Sequence, residues 1–134
     1  MKTRFLSVLL LMLLLTGCAA APQEQEQAQS YRQIGMDEAV ALMQNEDDYI
    51  ILDVRTREEF EQRHIPGAIL IPNETIGNEE IPELPDKDQL ILVYCRSGNR
   101  SKQASEKLVK LGYTNIVEFG GINDWPGEVV SGDK

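Results

Sequence analysis

The chain contains 134 residues, with 13 Lys and Arg against 22 Asp and Glu and a formal net charge of −9. This length suits one compact domain and excludes a second catalytic domain. The acidic balance excludes nucleic acid and anionic membrane surfaces as partners of the domain itself. One His and two Cys are too few for a structural zinc site, which needs three or four such ligands, so we expect no metal.

Residues 1–17 have the pattern of an export signal. Lys2 and Arg4 precede a nearly continuous apolar run, Phe5–Leu15. As a helix this run would span about 16 Å, roughly half of a bilayer core. We therefore expect a cleaved signal peptide instead of a membrane span. Removing residues 1–17 takes away two basic residues and moves the net charge from −9 to −11.

The run Leu15-Thr16-Gly17-Cys18 resembles the bacterial lipoprotein signal, in which Cys18 becomes the lipidated first residue. The alternative is an ordinary secretory signal with a cysteine at its cleavage site. Residues 18–30 contain no large apolar side chain after Cys18, so they are predicted to form a flexible tether. We expect a domain held at the cell envelope by lipid alone, outside the cytoplasm.

Residues 31–131 alternate short apolar runs with helical patterns, which is typical of parallel strands joined by helices. Strands are predicted at Tyr31–Ile34, Ile50–Val54, Ala68–Ile71, Leu90–Tyr94 and Ile116–Phe119. Helices are predicted at Met36–Gln44, from the capping box at Thr56 onward, and at Ser101–Leu111. Residues 73–89 are predicted to form a loop with one helical turn. The pattern indicates an α/β domain with about five parallel strands.

A cysteine stands where ligands bind in such sheets, beyond the carboxyl end of a strand. Cys95 follows Leu90–Tyr94 and is separated from the next helix by Arg96, Ser97, Gly98, Asn99 and Arg100. The glycine and asparagine tolerate left-handed backbone, so the loop can aim several N–H groups at one anion. These donors and the two arginines are expected to lower the pKa of an exposed Cys95 thiol. The five loop residues are predicted to bind an anionic substrate.

This loop, Cys95–Ser101, resembles the active-site loop of single-domain rhodaneses, the thiosulfate sulfurtransferase family. Three further motifs resemble the family pattern in its usual order: Asp53-Val54-Arg55 with Glu59-Phe60, His64-Ile65-Pro66-Gly67-Ala68, and Gly120-Gly121-Ile122 with Trp125. The resemblance covers residues 31–127. It implies a three-layer rhodanese-like fold, a persulfide on Cys95, and neither a metal nor an organic cofactor. The related dual-specificity phosphatases have a loop one residue longer that begins His-Cys, and Tyr94 replaces that His.

The reaction expected from this resemblance is sulfur transfer. The Cys95 thiolate would attack thiosulfate or a similar donor, and a thiol, cyanide or a protein acceptor would then take the sulfur. The alternative is a non-catalytic persulfide carrier or anion-binding module acting with a partner protein. A dithiol oxidoreductase would need Cys18 as a free resolving thiol.

Four residues outside the loop are assigned supporting roles. Asp53 and Arg55 are expected to hold the loop by hydrogen bonds without touching substrate. His64 is expected to be a hydrogen-bonded structural histidine, because a thiolate that is already formed needs no general base. Trp125 is expected to pack in the core or at its rim.

Overall fold

The apolar runs of the sequence form one parallel sheet. The computed structural model describes residues 30–133, so the predicted signal peptide, Cys18 and most of the tether lie outside the described residues. The strands are β1 (Arg32–Gln33), β2 (Ile50–Asp53), β3 (Ile69–Leu70), β4 (Ile91–Cys95) and β5 (Ile116–Gly121). Every pairing is parallel, and the strand order is β1-β5-β4-β2-β3. The predicted five-stranded parallel sheet is confirmed, with β4 at its centre.

Within residues 30–133, three helices connect the strands, namely α1 (Met36–Asn45), α2 (Arg57–Gln62) and α3 (Asn99–Lys110). The capping box predicted at Thr56 begins α2. Helix α3 begins two residues before its predicted start, because the left-handed Gly98, with φ 109°, leads directly into it. Two single 3-10 turns, Asn73–Thr75 and Ile122–Asp124, complete the secondary structure of the described part of the chain. The first is the helical turn predicted within residues 73–89.

Apolar side chains pack against both faces of the sheet, because side chains alternate along each strand. On one face the core contains Leu52, Val93, Cys95, Ala104 and Leu108. On the other face it contains Ala39, Ile51, Phe60, Leu92, Tyr94 and Phe119. Helix α3 covers the first face, and α1 and α2 cover the second. The predicted three-layer α/β arrangement is therefore confirmed.

The parallel strands bring their carboxyl ends to one edge of the sheet. Asp53 ends β2, Cys95 ends β4 and Gly121 ends β5, and Cys95 is the register partner of Gly121 beyond an irregularity that starts at Val93. Within residues 30–133, no helix is long and apolar enough to cross a membrane. The described part of the chain also contains no cluster of three or more His, Cys, Asp or Glu that could hold a metal ion.

Candidate active site

Cys95 is the last residue of the central strand and lies at the base of the loop that follows it. The sequence suggested an exposed thiol, and this expectation is wrong, since only 1% of the residue is exposed. The loop covers it: the Gly98 N–H donates to Cys95 Sγ at 3.0 Å. The thiol lies 3.4 Å from Ser101 Oγ, its hydrogen-bond acceptor. Within residues 30–133, the sulfur therefore lies buried beneath its own loop.

Two opposing effects act on the pKa of Cys95. Burial raises it, and hydrogen bonding with the Ser101 side chain and with the backbone N–H groups of Ser101, Gly98 and Ser97 lowers it. The hydrogen bonds prevail, so the pKa of Cys95 lies below its usual value. The predicted direction holds, and besides these hydrogen bonds the charge of Arg100 interacts with that of Cys95. Preorganised donors aimed at one sulfur favour its thiolate.

Two glycines allow the loop to curl around the sulfur. Gly98 has φ 109°, a conformation that strongly favours glycine. Asn99 is the first residue of α3 and has no positive φ, since none of the non-glycine residues described has one. Gly121 lies against the loop backbone, where an added Cβ would overlap the Arg96 carbonyl and the Ser97 nitrogen. The close approach of β5 to the loop therefore requires Gly121.

Ser101 and Glu118 lie beneath the loop, and neither was identified as a site residue from the sequence. The Ser101 hydroxyl is 2.6 Å from Glu118 Oε1, and both residues are buried. Glu118 Oε1 also accepts the Gly120 N–H at 2.8 Å. One indication of this contact was present in the sequence, namely the position of Glu118 inside the apolar run Ile116–Phe119. A charged residue buried in such a run needs a hydrogen-bond partner.

The two arginines of the loop occupy different environments. Arg96 is exposed and borders a cavity of about 290 Å³ lined by Arg55, Glu59, Gln62, Arg63, Arg96, Ile122 and Asn123. Arg100 is half-buried and forms an ion pair with Glu59, which raises the pKa of Arg100. Arg100 also interacts electrostatically with Cys95. Ser97 and Asn99 are exposed at the loop mouth.

Asp53 and Arg55 form a buried ion pair on the opposite face of the sheet. Arg55 Nη2 donates to Asp53 Oδ2 at 2.7 Å and to the Arg63 carbonyl at 2.7 Å. The Tyr94 hydroxyl also donates to Asp53 Oδ2 at 2.7 Å. Burial lowers the pKa of Arg55 and the contacts with Asp53 raise it, with a net rise. This network contacts Tyr94, the neighbour of Cys95, so its link to the loop runs through β4.

His64 and Trp125 occupy packing positions, as expected. His64 is fully buried, with Nδ1 2.8 Å from the Phe60 carbonyl oxygen and its ring stacked on Phe60. Trp125 packs at the rim of the core beside Phe119 and donates from Nε1 to the Glu128 carbonyl at 3.0 Å.

A buried thiol in a loop of backbone donors, at the end of a central parallel strand, is an arrangement suited to chemistry at sulfur. A model of the rhodanese-like domain family matches residues 36–128, which include the whole loop. The chain belongs to this family.

Named relatives support sulfur transfer at the level of the family. The thiosulfate sulfurtransferase PspE of Escherichia coli is 40% identical over 73 residues, which cover 54% of this chain and 70% of PspE. YrkF of Bacillus subtilis, which carries the name of a sulfur carrier protein, is 33% identical over 106 residues, covering 77% of this chain and 55% of YrkF. The chain thus spans just over half the length of YrkF.

Among solved structures, the chain is similar to a rhodanese with anions from E. coli. The two are 37% identical, with a TM-score of 0.58, and the match covers 63% of this chain and 99% of the other.

Proposed function

We propose that the protein is a thiosulfate sulfurtransferase that works through a persulfide on Cys95. The observation that carries this proposal is the Gly98 N–H aimed at Cys95 Sγ at 3.0 Å, within a loop whose hydrogen bonds lower the pKa of the thiol. A thiolate is the form of cysteine that attacks sulfur. The names of PspE and of the E. coli rhodanese support this assignment.

The first half-reaction forms one S–S bond and breaks another. Cys95 Sγ donates an electron pair to the outer sulfur of thiosulfate, and the bond to the sulfonate sulfur breaks. Sulfite leaves with that electron pair, and a persulfide remains on Cys95. The outer sulfur is then held within the loop, where backbone N–H groups stabilise its negative charge.

The second half-reaction returns the enzyme to its starting state. A thiolate or cyanide attacks the outer sulfur, and Cys95 leaves as a thiolate. The hydrogen bonds that lower the pKa of Cys95 also make it a better leaving group. Neither half-reaction needs a proton at the sulfur, so the buried His64 has no role as a base.

Charge at the loop mouth favours a dianionic donor. Arg96 is exposed beside a cavity that Arg63 also lines, on a protein with net charge −9. We assign Arg96 and Arg100 to attracting the sulfonate group, and the backbone of Ser97, Gly98 and Asn99 to contacting it. Charge-assisted hydrogen bonds of this kind are stronger than neutral ones.

A second candidate function is a persulfide carrier that hands its sulfur to a partner protein. The name of YrkF favours it. The loop chemistry is the same in both cases, and the difference lies in whether small acceptors turn the protein over.

The test of both is to treat the purified protein with thiosulfate and to measure the mass of the peptide that contains Cys95. We expect the gain of one sulfur atom, followed by thiocyanate formation in many turnovers when cyanide is added. Cys95→Ser, which changes little volume, is expected to remain folded and to lose both signals. A persulfide without turnover would favour the carrier, and wild-type turnover in Cys95→Ser would refute the covalent mechanism.

We also propose that the protein is lipidated on Cys18 and held at the cell envelope. The basic start, the short apolar run and the sequence Leu15–Cys18 support this. Acyl chains alone would provide the membrane affinity, at about 0.8 kcal/mol per buried methylene.

A further inference from the structure

The Ser101 hydroxyl has one hydrogen and several acceptors within reach. Its Oγ lies 2.6 Å from Glu118 Oε1, 2.9 Å from the Gly98 carbonyl and 3.3 Å from the Gly120 carbonyl. Cys95 Sγ lies 3.4 Å away. A hydroxyl donates only one hydrogen bond at a time, so these groups compete. The shortest contact is with a carboxylate, which is also the strongest acceptor among them.

Glu118 has no part in the two half-reactions described above. It is 3% exposed and lies on the β5 strand, beneath the loop. Besides Ser101, its Oε1 accepts the Gly120 N–H at 2.8 Å, so the carboxylate keeps one donor even when the Ser101 hydrogen turns away. A buried acid is costly unless it is hydrogen-bonded. The Ser101 hydroxyl lies between this carboxylate and Cys95 Sγ. This position suggests that Glu118 influences the ionisation of Cys95.

We infer that Glu118 is a positioning residue for Cys95: it holds the Ser101 hydrogen while Cys95 is a thiol and releases it to Sγ when the thiol ionises. In the thiol state, the Cys95 S–H donates to Ser101 Oγ and the Ser101 O–H donates to Glu118. In the thiolate state, the hydroxyl rotates to donate to Sγ, and Glu118 keeps the Gly120 N–H.

The proton balance of this switch is simple. The thiol loses one proton to a base in solution, no covalent O–H bond breaks, and the Ser101 hydrogen only changes its acceptor. Because Glu118 competes with Sγ for that hydrogen, the carboxylate opposes ionisation of Cys95 to a limited extent. It thereby limits how far the hydrogen bonds of the loop favour the thiolate. The inference rests on the proposed function only in assigning sulfur transfer to Cys95.

Charged groups from several elements surround the loop, and most of them have partners of their own. On α3, Arg100 interacts with the charge of Cys95 and is bound to Glu59 of α2. Glu74, in the first 3-10 turn, also acts on Arg100. Three further groups have other surroundings: Arg96 is exposed at the loop mouth, Lys107 of α3 donates to Asn73, and the Asp53 and Arg55 pair faces the opposite layer. Among the residues described, Glu118 is the acid that shares a hydrogen-bond partner with Cys95.

The experiment measures the rate at which iodoacetamide alkylates Cys95 in the full chain, from about pH 5 to about pH 10, by mass spectrometry of its peptide. Alkylation follows the thiolate, so the midpoint of the profile reports ionisation without any sulfur donor. We expect Ser101→Ala to raise the midpoint and Glu118→Gln to lower it, each by about one pH unit. Glu106→Gln, which removes an exposed acid of α3, is the matched control and is expected to leave the midpoint unchanged.

The double variant separates action through Ser101 from a direct charge effect. If Glu118 acts through Ser101, Glu118→Gln lowers the midpoint in the presence of Ser101 and not when Ser101→Ala is also present. An equal shift in both backgrounds would overturn the inference, as would an unchanged or higher midpoint in Glu118→Gln alone.

If Glu118→Gln does not fold, Glu118→Asp provides the second variant. It keeps the charge but shortens the side chain away from Ser101, so we expect a lower midpoint, whereas a direct charge effect predicts no change and would refute the inference. If the variants show these shifts but the wild-type protein transfers no sulfur, the proposed function is refuted and this inference still stands.

Discussion

Arg100 and Glu59 form a two-point ion pair between α3 and α2. Arg100 Nη1 donates to Glu59 Oε2 at 2.7 Å, and Nη2 donates to Oε1 at 2.9 Å. Glu59 Oε2 also accepts the Thr56 N–H at 3.0 Å, which closes the capping box of α2. One carboxylate therefore orients the last arginine of the active loop and the start of the neighbouring helix.

The first prediction concerns the pH dependence of stability. Hydrogen bonds from Arg100 lower the pKa of Glu59 from 4.5 to about 2, so its ionised form stabilises the fold. A lowered pKa contributes stability above the unfolded value, and this contribution is lost as the pH falls from about 4.5 to about 2. We expect Glu59→Gln to lower the free energy of unfolding by about 1 kcal/mol at neutral pH, since the pair is partly exposed.

Urea unfolding at a series of pH values measures this difference. The difference between Glu59→Gln and wild type should shrink through that window and vanish near its lower end. Glu58→Gln, an exposed neighbour on the same helix, is the control. A difference that does not change with pH would contradict the role of the ion pair.

The second prediction concerns the donor. Arg100→Ala removes a guanidinium near Cys95 and leaves the Glu59 carboxylate unpaired beside the loop. We expect KM for thiosulfate to rise about tenfold, with a much smaller change for an uncharged persulfide donor. Lys102→Ala, an exposed position on α3, is the control. Equal changes for both donors would remove the role of Arg100 in binding the anion.

KM measurements on a double variant separate two causes of the rise in KM for thiosulfate. In Arg100→Ala combined with Glu59→Gln, the repulsion from an unpaired carboxylate is absent. A KM close to the wild-type value in this double variant would show that Glu59, once unpaired, repels the donor. A KM that stays high would show that the arginine itself binds it.

The third prediction tests the close approach of β5 to the loop. In Gly121→Ala the new Cβ would meet the backbone of Arg96 and Ser97, and neither can move without displacing the N–H groups around the sulfur. We expect a loss of stability of about 1–3 kcal/mol and a large fall in kcat. Gly77→Ala, where an added Cβ has no atom within 4 Å, is the control. Undiminished sulfur transfer would show that the loop tolerates displacement.

The fourth prediction concerns the Tyr94 hydroxyl, which donates to Asp53 and accepts the Ile65 N–H at 3.1 Å. Burial raises the pKa of Tyr94, so the hydroxyl keeps its hydrogen. Tyr94→Phe leaves a buried N–H and one bond of a carboxylate unsatisfied, and we expect a cost of about 1–3 kcal/mol in urea unfolding. Tyr31→Phe, at an exposed hydrogen bond, should cost much less. An equal loss of unfolding free energy in the two variants would show that the Asp53 network does not stabilise β4.

The fifth prediction concerns the membrane. We expect Cys18→Ser to impair lipidation and to move the protein from the membrane fraction to the precursor or soluble fraction, measured by acyl labelling and cell fractionation. Cys95→Ser should fractionate like the wild type. Unchanged membrane association of Cys18→Ser would contradict anchoring by lipid.

Local patterns were sufficient to predict the sheet and the loop. The run Leu90–Tyr94 and the capping box at Thr56 depend on neighbours in sequence, and both are present where they were expected. The position of Cys95 at the carboxyl end of a strand followed from the same reasoning, because parallel strands align their ends.

Long-range contacts could not be predicted in this way. The partner of Arg100 lies 41 residues away and that of Ser101 lies 17 residues away, and no periodicity encodes either pairing. The burial of Cys95 was also missed, because the polar residues after it suggested an open loop, whereas the loop folds over the sulfur and Gly121 packs beneath it. The sequence was therefore sufficient to identify the reactive cysteine and its loop, but not the long-range contacts that surround them.

The depth of Cys95 has a consequence for the pairing of two copies of the chain. A disulfide requires the two Cα atoms to approach within about 7 Å, and Cys95 is a buried strand residue beneath its own loop. Two such strand ends cannot meet unless both loops open. A persulfide places its outer atom about 2 Å further out, where a small acceptor can reach it. In an oxidising compartment the fold would thus permit sulfur exchange with small molecules while resisting covalent dimerisation.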